Sequence, residues 1–160
     1  MGWAGKVSLC DLGYCAVGID EGWEGCGMGV QRTPKGGPPY MSQHYANGTP
    51  VINAKFPDMM GLVTYGHSKG VKMGWYENGC ACGEKVEVEI NYEGDVKMLH
   101  DFGFDAVKLD GCGKQRNMTL YAQLMKESGK NYSIENYWER ENQLPTLKQY
   151  FSYCLAFPSL

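Results

Sequence analysis

One pattern of apolar and polar positions recurs four times along the chain. Each copy begins with a glycine, continues as a short apolar strand that ends in polar or acidic residues, and leads into a loop and an amphipathic helix. The four copies span residues 13–20, 70–76, 103–110 and 129–135. Strands that alternate with helices in this way predict a parallel β-sheet with helical crossovers.

Helical spacing of apolar residues fills the stretches between the strands. The predicted helices include residues 59–66, which follow Pro57-Asp58, and the segments around 92–99 and 120–125. Each pattern stops at a glycine, and a glycine is the residue that most readily adopts the left-handed conformation after a helix. These three predicted terminators are Gly70, Gly103 and Gly129.

The ends of the strands help to choose between an open doubly wound sheet and a closed (β/α)8 barrel. A barrel collects site residues from several strands at its carboxyl-terminal face, whereas an open sheet binds ligands at one crevice, commonly over a glycine-rich turn. The first strand is not followed by G-x-G-x-x-G, and the distribution of polar residues favours the barrel. The polar residues at the strand ends are Asp20-Glu21, Tyr76-Glu77, Asp110 and Glu135-Asn136.

The number of strands predicts an incomplete barrel. Four strands, with a fifth predicted near residues 153–157, cannot close a fold that usually needs about 250 residues. We therefore expect the chain to be part of a (β/α)8 barrel. Residues 22–50, rich in Gly and Pro, are predicted as one long loop, either a lid or binding loop or a floppy insertion.

Composition and charge exclude several classes of protein. The chain has 160 residues, 43% of them hydrophobic, and a formal net charge of -3, which is typical of one soluble globular domain. No apolar run reaches the roughly 18 residues that span a bilayer, and the first six residues do not lead into a signal-peptide core. Fifteen basic against 18 acidic residues, without a basic block, argue against nucleic acid. Neither nucleic acid nor a membrane is expected as a partner.

Seven cysteines suggest an oxidising compartment. The cysteines at 80, 82 and 112 lack the paired C-x-x-C spacing of a structural zinc site, which favours disulfides or free thiols, and no metal or cofactor is expected. Three N-x-[ST] acceptors point to a secretory route, with an extracellular or lysosome- or vacuole-like destination. The acceptor residues are Asn47, Asn117 and Asn131.

Lys108 and Asp110 are the first candidates for catalysis. They lie two residues apart in one predicted strand, so their side chains point to the same face. A nearby cation favours the ionised form of a carboxylate, and a covalent nucleophile at a sugar carbon requires that form. An ordinary ion pair at a strand end is the alternative. The histidines indicate no Ser-His-Asp or Cys-His site, because His44 falls in the long loop while His67 and His100 fall in helices.

Residues suited to sugar binding end the other strands. The carboxylates of Asp20 and Glu21 can accept hydrogen bonds from sugar hydroxyls, and the Trp23 indole can pack on a pyranose; a solvated acidic turn is the alternative. Tyr76 and Glu135 end two further strands. Because parallel strands end at the same edge, we expect these side chains to form one converging rim.

These segments together resemble glycoside hydrolase family 27, the α-galactosidases, which are (β/α)8 barrel enzymes. The resemblance runs from Leu12 to about Tyr150, and it is specific because the segments occur in the order of the family. The matching segments are LGY at 12–14, IDEGW at 19–23, KFPDM at 55–59, HSKGVKMGWY at 67–76, FGFD at 102–105, KLDGC at 108–112 and YSIE at 132–135.

The resemblance assigns a role to each residue of the rim. It implies that Asp110 is the nucleophile, which forms a covalent galactosyl-enzyme with retention of configuration. Lys108 would bind a sugar hydroxyl beside it. Asp20 and Glu21 would hold the galactose 4- and 6-hydroxyls, although the family usually has Asp at the second place.

The resemblance also has implications for the remaining rim residues, for the substrate and for one disulfide. Tyr76 matches the aromatic rim residue of the family, and Glu135 matches the residue near the 2-hydroxyl. Trp138 argues against the related N-acetylgalactosaminidases, whose pocket needs small side chains there. A disulfide between Cys82 and Cys112 is implied as well.

Two elements of the family pattern have no counterpart. The first-strand aromatic contact is not found before Leu12, and residues 154–160 contain neither the Arg nor the acid/base Asp of the sixth strand. A retaining mechanism needs that second carboxylate. The resemblance therefore implies that residues 1–160 are part of one catalytic (β/α)8 domain, about strands 2 to 5 or 6, without the N-terminal strand and the C-terminal half. We expect this 160-residue chain alone to have little or no turnover.

The sequence thus predicts a retaining glycoside hydrolase that removes terminal α-linked galactose from oligosaccharides or glycoconjugates. The expected partner is an α-galactoside substrate, and a homodimer is left open. A non-catalytic galactose-binding remnant is the first alternative. A barrel enzyme that acts on a different small molecule is the second.

Overall fold

The structure is a computed structural model that describes residues 7–26, 29–32, 39–84 and 86–136. Six strands are defined in it: β1 (Ala16–Gly18), β2 (Gly29–Arg32), β3 (Pro39–Ser42), β4 (Lys72–Gly79), β5 (Ala106–Gly113) and β6 (Ser133–Asn136). The main sheet has the order β1-β4-β5-β6, and each pair of neighbours is parallel. Its strands coincide with the four apolar segments of the sequence, so the predicted parallel arrangement is confirmed.

Helices connect the strands of this sheet, as the apolar spacing predicts. They are α1 (Met59–Ser68), α2 (Glu89–Asp101) and α3 (Met118–Glu127). Asp58 caps α1 by accepting a hydrogen bond from the Gly61 amide at 2.7 Å, and Asn117 caps α3 through the Leu120 amide at 3.0 Å. The glycine after each helix has a positive φ, which confirms the predicted terminators Gly70, Gly103 and Gly129.

One face of the sheet packs against the helices and forms the core. Alternate strand residues such as Trp75 and Val107 are buried in it, because successive side chains of a strand point to opposite faces. The core also takes residues from each helix, including Val63, Tyr92 and Tyr121. Leu62, which the spacing places on the core face of α1, is instead 36% exposed.

The opposite face is lined by small residues that lead to a polar edge. Gly18, Gly74 and Ala106 are neighbours across three strands. A Cβ on Gly74 would stand 3.3 Å from the Gly18 backbone, so a side chain there would press on β1. Two residues further along, Tyr76 and Lys108 are neighbours on the same face. The middle of this face is therefore open, and its polar side chains gather at the carboxyl end.

The predicted long loop at 22–50 is wrong in part, because it contains an antiparallel hairpin. Strands β2 and β3 pair from Gly29 with Ser42 to Arg32 with Pro39. Gln43 and His44, which follow the hairpin, are fully buried. Backbone pairing and burial thus anchor the segment, which excludes a floppy insertion over its described residues.

The described residues contain no helix that is long and apolar enough to cross a membrane. Within them the sheet has four strands, with β1 and β6 at its edges. The strand predicted near 153–157 and Trp138 lie outside the described residues.

Candidate functional site

The carboxyl ends of the four parallel strands bring the predicted site residues to one edge of the sheet. Lys108 of β5 lies in register between Tyr76 of β4 and Glu135 of β6. Asp110 is two residues further along β5, and Asp20 is two residues beyond the end of β1. Residues that are distant in the sequence therefore form one polar rim, as the period of two predicts.

An ion pair joins β1 to β5 at this rim. The Lys108 ammonium donates a hydrogen bond to Asp20 Oδ2 at 2.9 Å, and the side chain of Asp20 is 66% exposed. This bond, followed by one from the Glu21 amide, lowers the pKa of Asp20. Asp20 in turn raises the pKa of Lys108, with smaller contributions from Asp110 and Glu135. Both groups of the pair are therefore charged at neutral pH.

The carboxylate of Asp110 is held at both oxygens. The Tyr76 hydroxyl donates to Oδ2 at 2.7 Å, and the Gly111 amide donates to Oδ1 at 2.6 Å. Burial raises the pKa of Tyr76, and the hydrogen bond to Asp110 raises it further, so the phenol keeps its proton and remains a donor. The two donors fix the carboxylate plane while each oxygen keeps a lone pair for another contact.

A cation–π contact connects these two pairs. The Lys108 ammonium lies 5.1 Å from the centre of the Tyr76 ring, within the range at which a ring attracts a cation. Asp20, Lys108, Tyr76 and Asp110 thus form a continuous contact series across β1, β4 and β5. We call this series the rim series.

The other predicted binding residues stand beside the rim series. The side chains of Glu21 and Glu135 are exposed, and the charge of Glu21 contributes to the raised pKa of Tyr76. Trp23 differs from its prediction, because it is fully buried and cannot stack on a sugar. Its indole N–H donates to the Tyr76 carbonyl at 2.8 Å, and its ring packs edge-on against Trp75. Trp23 therefore supports the strand that carries Tyr76.

Two residues that the sequence does not single out support the turn that carries Asp20. The carboxylate of Glu24 accepts hydrogen bonds from the Gly22 amide at 2.6 Å and from the Asn78 side chain at 3.0 Å. Asn78 Oδ1 in turn accepts from the backbone amides of Cys80 and Ala81. These bonds tie the turn after β1 to the end of β4.

The implied disulfide between Cys82 and Cys112 is wrong, because the structure pairs each of these residues with another partner. Cys112 pairs with Cys80, and Cys82 pairs with Cys26, with Cα separations of 5.5 and 5.2 Å. Cys80 and Cys82 flank a short turn, and Cys82 adopts a left-handed φ of 58° that directs its sulfur toward the segment after β1. A third pair joins Cys10 to Cys15, while Cys154 lies outside the described residues.

A buried polar group behind the rim is the largest feature that the sequence does not reveal. Its members have 8% exposure or less, and we call them the acid cluster: His44, Glu24, Glu77, Glu84 and Asp95. No periodic pattern marks His44. Glu77 follows Tyr76 directly near a strand end. Alternation along the strand places Glu77 on the helix side, and this is the signal from which its burial could have been predicted.

Comparison with known proteins gives one distant structural likeness. The α-galactosidase from Saccharomyces cerevisiae, solved with raffinose, matches with a TM-score of 0.56 and 16% sequence identity. The match covers 80% of this chain and 28% of the yeast chain. No protein-family model matches the sequence, and no curated protein matches it. At this identity the likeness concerns the fold alone.

Proposed function

We propose that the protein is a retaining glycoside hydrolase of the α-galactosidase type and that its sheet and helices are part of a (β/α)8 barrel. The rim series carries the proposal, because it joins a candidate nucleophile to three candidate binding groups at the carboxyl edge. The sequence segments that resemble glycoside hydrolase family 27 support it. The structural likeness to the yeast α-galactosidase supports the fold that the proposal requires.

Asp110 is the nucleophile of the proposed reaction. Its ionised carboxylate attacks the anomeric carbon, an ester bond to the sugar forms, and the bond to the leaving oxygen breaks. The Tyr76 hydroxyl and the Gly111 amide hold the carboxylate in one orientation, which reduces the entropy lost on reaching the transition state. A second carboxyl group, which is not assigned among the described residues, protonates the leaving oxygen as a carboxylic acid and then activates water as a carboxylate.

The charged groups around Asp110 bind the sugar in this proposal. The Lys108 ammonium donates to a sugar hydroxyl beside Asp110, and Asp20 and Glu21 accept from the galactose 4- and 6-hydroxyls. Glu135 accepts from the 2-hydroxyl. Glu21 is one methylene longer than Asp, so it reaches further into the space occupied by the substrate.

Covalent labelling tests the proposal without requiring the acid/base residue. A fluorinated α-galactosyl fluoride carries a leaving group that departs as fluoride without protonation, so the nucleophile alone suffices to form the ester. We expect the whole chain to gain one fluorinated galactosyl group, located at Asp110 by peptide mass spectrometry. The Asp110→Asn variant is expected to remain unlabelled, and an excess of galactose is expected to protect the wild type.

Three outcomes would oppose the proposal in different ways. Labelling at another carboxylate would remove Asp110 from its role. Thermal protection by galactose without labelling would favour the galactose-binding remnant. Labelling by the glucosyl analogue at the same rate, without protection by galactose, would favour a barrel enzyme for a different substrate.

A secretory location accompanies this function in our proposal. Three cysteine pairs lie at disulfide distance, and disulfides persist in oxidising compartments. The three predicted glycan acceptors, Asn47, Asn117 and Asn131, are exposed. A decrease in mass after enzymatic removal of N-linked glycans from the protein isolated from its source would support this location, and reduced cysteines in that protein would oppose it.

A further inference from the structure

The acid cluster places four carboxyl groups behind the rim. The residue exposures of Glu24, Glu77, Glu84 and Asp95 are 8%, 3%, 5% and 3%. They come from the turn after β1, from β4, from the loop after β4 and from α2, so the cluster joins four parts of the fold. Buried carboxylates are costly unless each is paired or hydrogen-bonded.

Three of these carboxyl groups have partners. His44 Nδ1 lies 2.7 Å from Glu84 Oε1, and His44 Nε2 lies 2.7 Å from Asp95 Oδ1. Glu84 Oε1 also accepts from the Ser42 hydroxyl, while Asp95 Oδ2 accepts from the Tyr121 hydroxyl at 2.6 Å and from the Gln115 side chain at 2.9 Å. Glu24 is held by the turn and strand contacts described above.

Glu77 has no such partner. Both of its carboxyl oxygens are buried and make no hydrogen bond within the described part of the chain. The Trp75 indole N–H approaches the carboxyl without reaching hydrogen-bond geometry. The narrow space lined by Glu77, Asp110, Gln115 and Tyr121 has no room for a water molecule.

The groups that face Glu77 from the surrounding elements are almost all acidic. They are Asp95 from α2, Glu24 from the turn after β1, Glu84 from the loop after β4 and the Tyr121 phenol from α3. His44 is the one cation in the acid cluster, and both of its nitrogens are committed to other carboxylates. The described residues include no group of three or more His, Cys, Asp or Glu side chains arranged to hold a metal ion.

Charge balance decides the state of Glu77. With His44 positive and Glu24, Glu84 and Asp95 negative, the acid cluster already has a net charge of about -2. Another unpaired negative charge in this volume would be repelled by its neighbours and would not be hydrated. Burial accordingly raises the pKa of Glu77 well above its ordinary value, and Asp95, Glu24 and Glu84 raise it further.

We propose that Glu77 remains protonated in the folded protein at neutral pH and that loss of this proton loosens the turn after β1 and the end of β4. The acid cluster is thus a pH-sensitive clamp, which holds these two parts of the rim in place in acidic solution and releases them as pH rises. The clamp acts on two parts of the rim. Glu24 holds the turn that carries Asp20, and Glu77 is adjacent to Tyr76 in β4. Ionised Glu77 would repel both Glu24 and Asp95 and push these elements apart.

The sign of the expected pH dependence follows from linkage. The unfolded chain releases the Glu77 proton near the ordinary glutamate pKa of 4.5, whereas the folded protein keeps it to a higher pH. Between the two pKa values the folded state binds one more proton, so stability falls as pH rises. One such proton changes the unfolding equilibrium constant about tenfold per pH unit.

Between about pH 5 and pH 6.5, the difference between wild type and Glu77→Gln isolates Glu77. Other carboxyl groups with shifted pKa values, such as Asp20 and Asp105, are lowered and are therefore ionised in both states throughout this range. The pKa of His44 is raised from its ordinary value of 6.5 in the fold, so the unfolded chain begins to lose this proton as pH approaches 6.5. That contribution is common to wild type and Glu77→Gln, so the difference between their slopes reports on Glu77.

The test compares urea unfolding of the full chain from about pH 5 to pH 8 with that of Glu77→Gln, which keeps the shape of the side chain and removes its ionisation. Between pH 5 and 6.5 we expect the unfolding equilibrium constant of the wild type to rise with pH more steeply than that of Glu77→Gln, by about tenfold per pH unit. The exposed Glu93→Gln of α2 is the matched control and should keep the wild-type slope.

Two results would overturn the proposal. One is equal slopes for wild type and Glu77→Gln in this range. The second measurement needs no variant: the infrared spectrum of the wild type in D2O at neutral pH should contain the carbonyl band of a buried protonated carboxylic acid, which disappears at alkaline pH. Absence of that band would overturn the proposal even if Glu77→Gln does not fold. Neither measurement depends on glycosidase activity.

Discussion

The rim series and the acid cluster are two polar regions on opposite sides of the same strand ends. In the rim series the pair formed by Asp20 and Lys108 has side-chain exposures of 66% and 30%. In the acid cluster the side chains of His44 and its two carboxylate partners have exposures of 2% or less. The bond lengths are similar, at 2.9 and 2.7 Å, so burial is what distinguishes the two regions.

Burial separates the functions of the two regions. Exposed ion pairs gain little because water screens them, and their groups stay free to exchange partners for a ligand. A buried pair is costly to form, but removal of one partner leaves an uncompensated charge. In the proposed function the rim series can therefore bind and react without holding the fold together, whereas the acid cluster is proposed to hold the elements on which the rim depends. Tyr76 and Glu77 are adjacent in β4 and belong to different regions only because of strand alternation.

Removal of the His44 ring is expected to have the largest effect on stability. His44→Ala leaves the carboxylates of Glu84 and Asp95 buried without a cation, which lowers the free energy of unfolding by about 3–5 kcal/mol. Urea unfolding near pH 6 measures this decrease in the free energy of unfolding. His100→Ala, at a histidine that is half exposed, is the control and should stay within about 0.5 kcal/mol of wild type. Equal effects of the two variants would contradict the contrast between the regions.

The pH dependence of this difference provides a second readout. Burial opposes the charge of His44, but Asp95 and then Glu84 outweigh it and raise its pKa from 6.5 to about 10. The stabilisation is therefore complete below pH 6.5 and is lost as pH rises through about 10. The difference between wild type and His44→Ala should shrink across this range. A difference that grew with pH would exclude a charged His44.

Loss of the disulfide between Cys26 and Cys82 is expected to have the next largest effect. It joins the segment after β1 to the loop after β4, 56 residues apart, and its removal by the double change Cys26→Ala and Cys82→Ala should cost about 2–4 kcal/mol in unfolding free energy. Peptide mapping of the unreduced protein checks the pairing itself. A peptide that links Cys82 to Cys112 would contradict the structure and restore the pairing implied by the family resemblance.

The parts of the molecule that could be predicted are those governed by local periodicity. Glycine stops, apolar spacing and strand alternation predict the parallel sheet, its three helices and the positions of Asp20, Tyr76, Lys108, Asp110 and Glu135 at one edge. The side-chain periods of helix and strand determine which residues share a face, and the parallel order determines which strand ends meet. None of these predictions requires knowledge of a contact with a distant segment of the chain.

The parts that could not be predicted depend on contacts between distant segments. His44 meets Glu84 and Asp95 across 40 and 51 residues, and nothing in the sequence around it marks this burial. Cysteine pairing was equally undetermined, because Cys80 and Cys82 are two residues apart and the turn between them decides which sulfur faces Cys112. Trp23 follows two exposed acids, yet the fold draws its indole inward to the backbone of β4.

Within the rim, removal of the Tyr76 hydroxyl is expected to have a small effect on stability and a larger one on reactivity. Tyr76→Phe removes one hydrogen bond to Asp110, which should lower the unfolding free energy by about 0.5–1.5 kcal/mol. Without this donor the carboxylate is held less firmly, and because misplacement of a reacting group can cost about a hundredfold in rate, labelling of Asp110 should slow roughly ten- to a hundredfold. The exposed Tyr65→Phe of α1 is the control. Unchanged labelling in Tyr76→Phe would show that Tyr76 does not orient Asp110.

Removal of the Lys108 charge is expected to change stability least while abolishing protection by galactose. Asp20 is solvated on most of its surface, so Lys108→Met should leave the urea midpoint near that of Lys97→Met, a control that breaks the exposed pair with Asp101 in α2.

The pH dependence of Lys108→Met separates it further from this control. The lowered pKa of Asp20 gives stability that is present above pH 3.8 and is lost as pH falls through the lowered value. Lys108→Met should reduce this contribution of Asp20 and should leave the pH dependence of stability unchanged elsewhere. Only the Lys108 variant should lose the rise in melting temperature caused by galactose. If Lys108→Met instead destabilised the protein as strongly as His44→Ala, the rim series would be part of the structural support, and the separation between a binding region and a supporting region would fail.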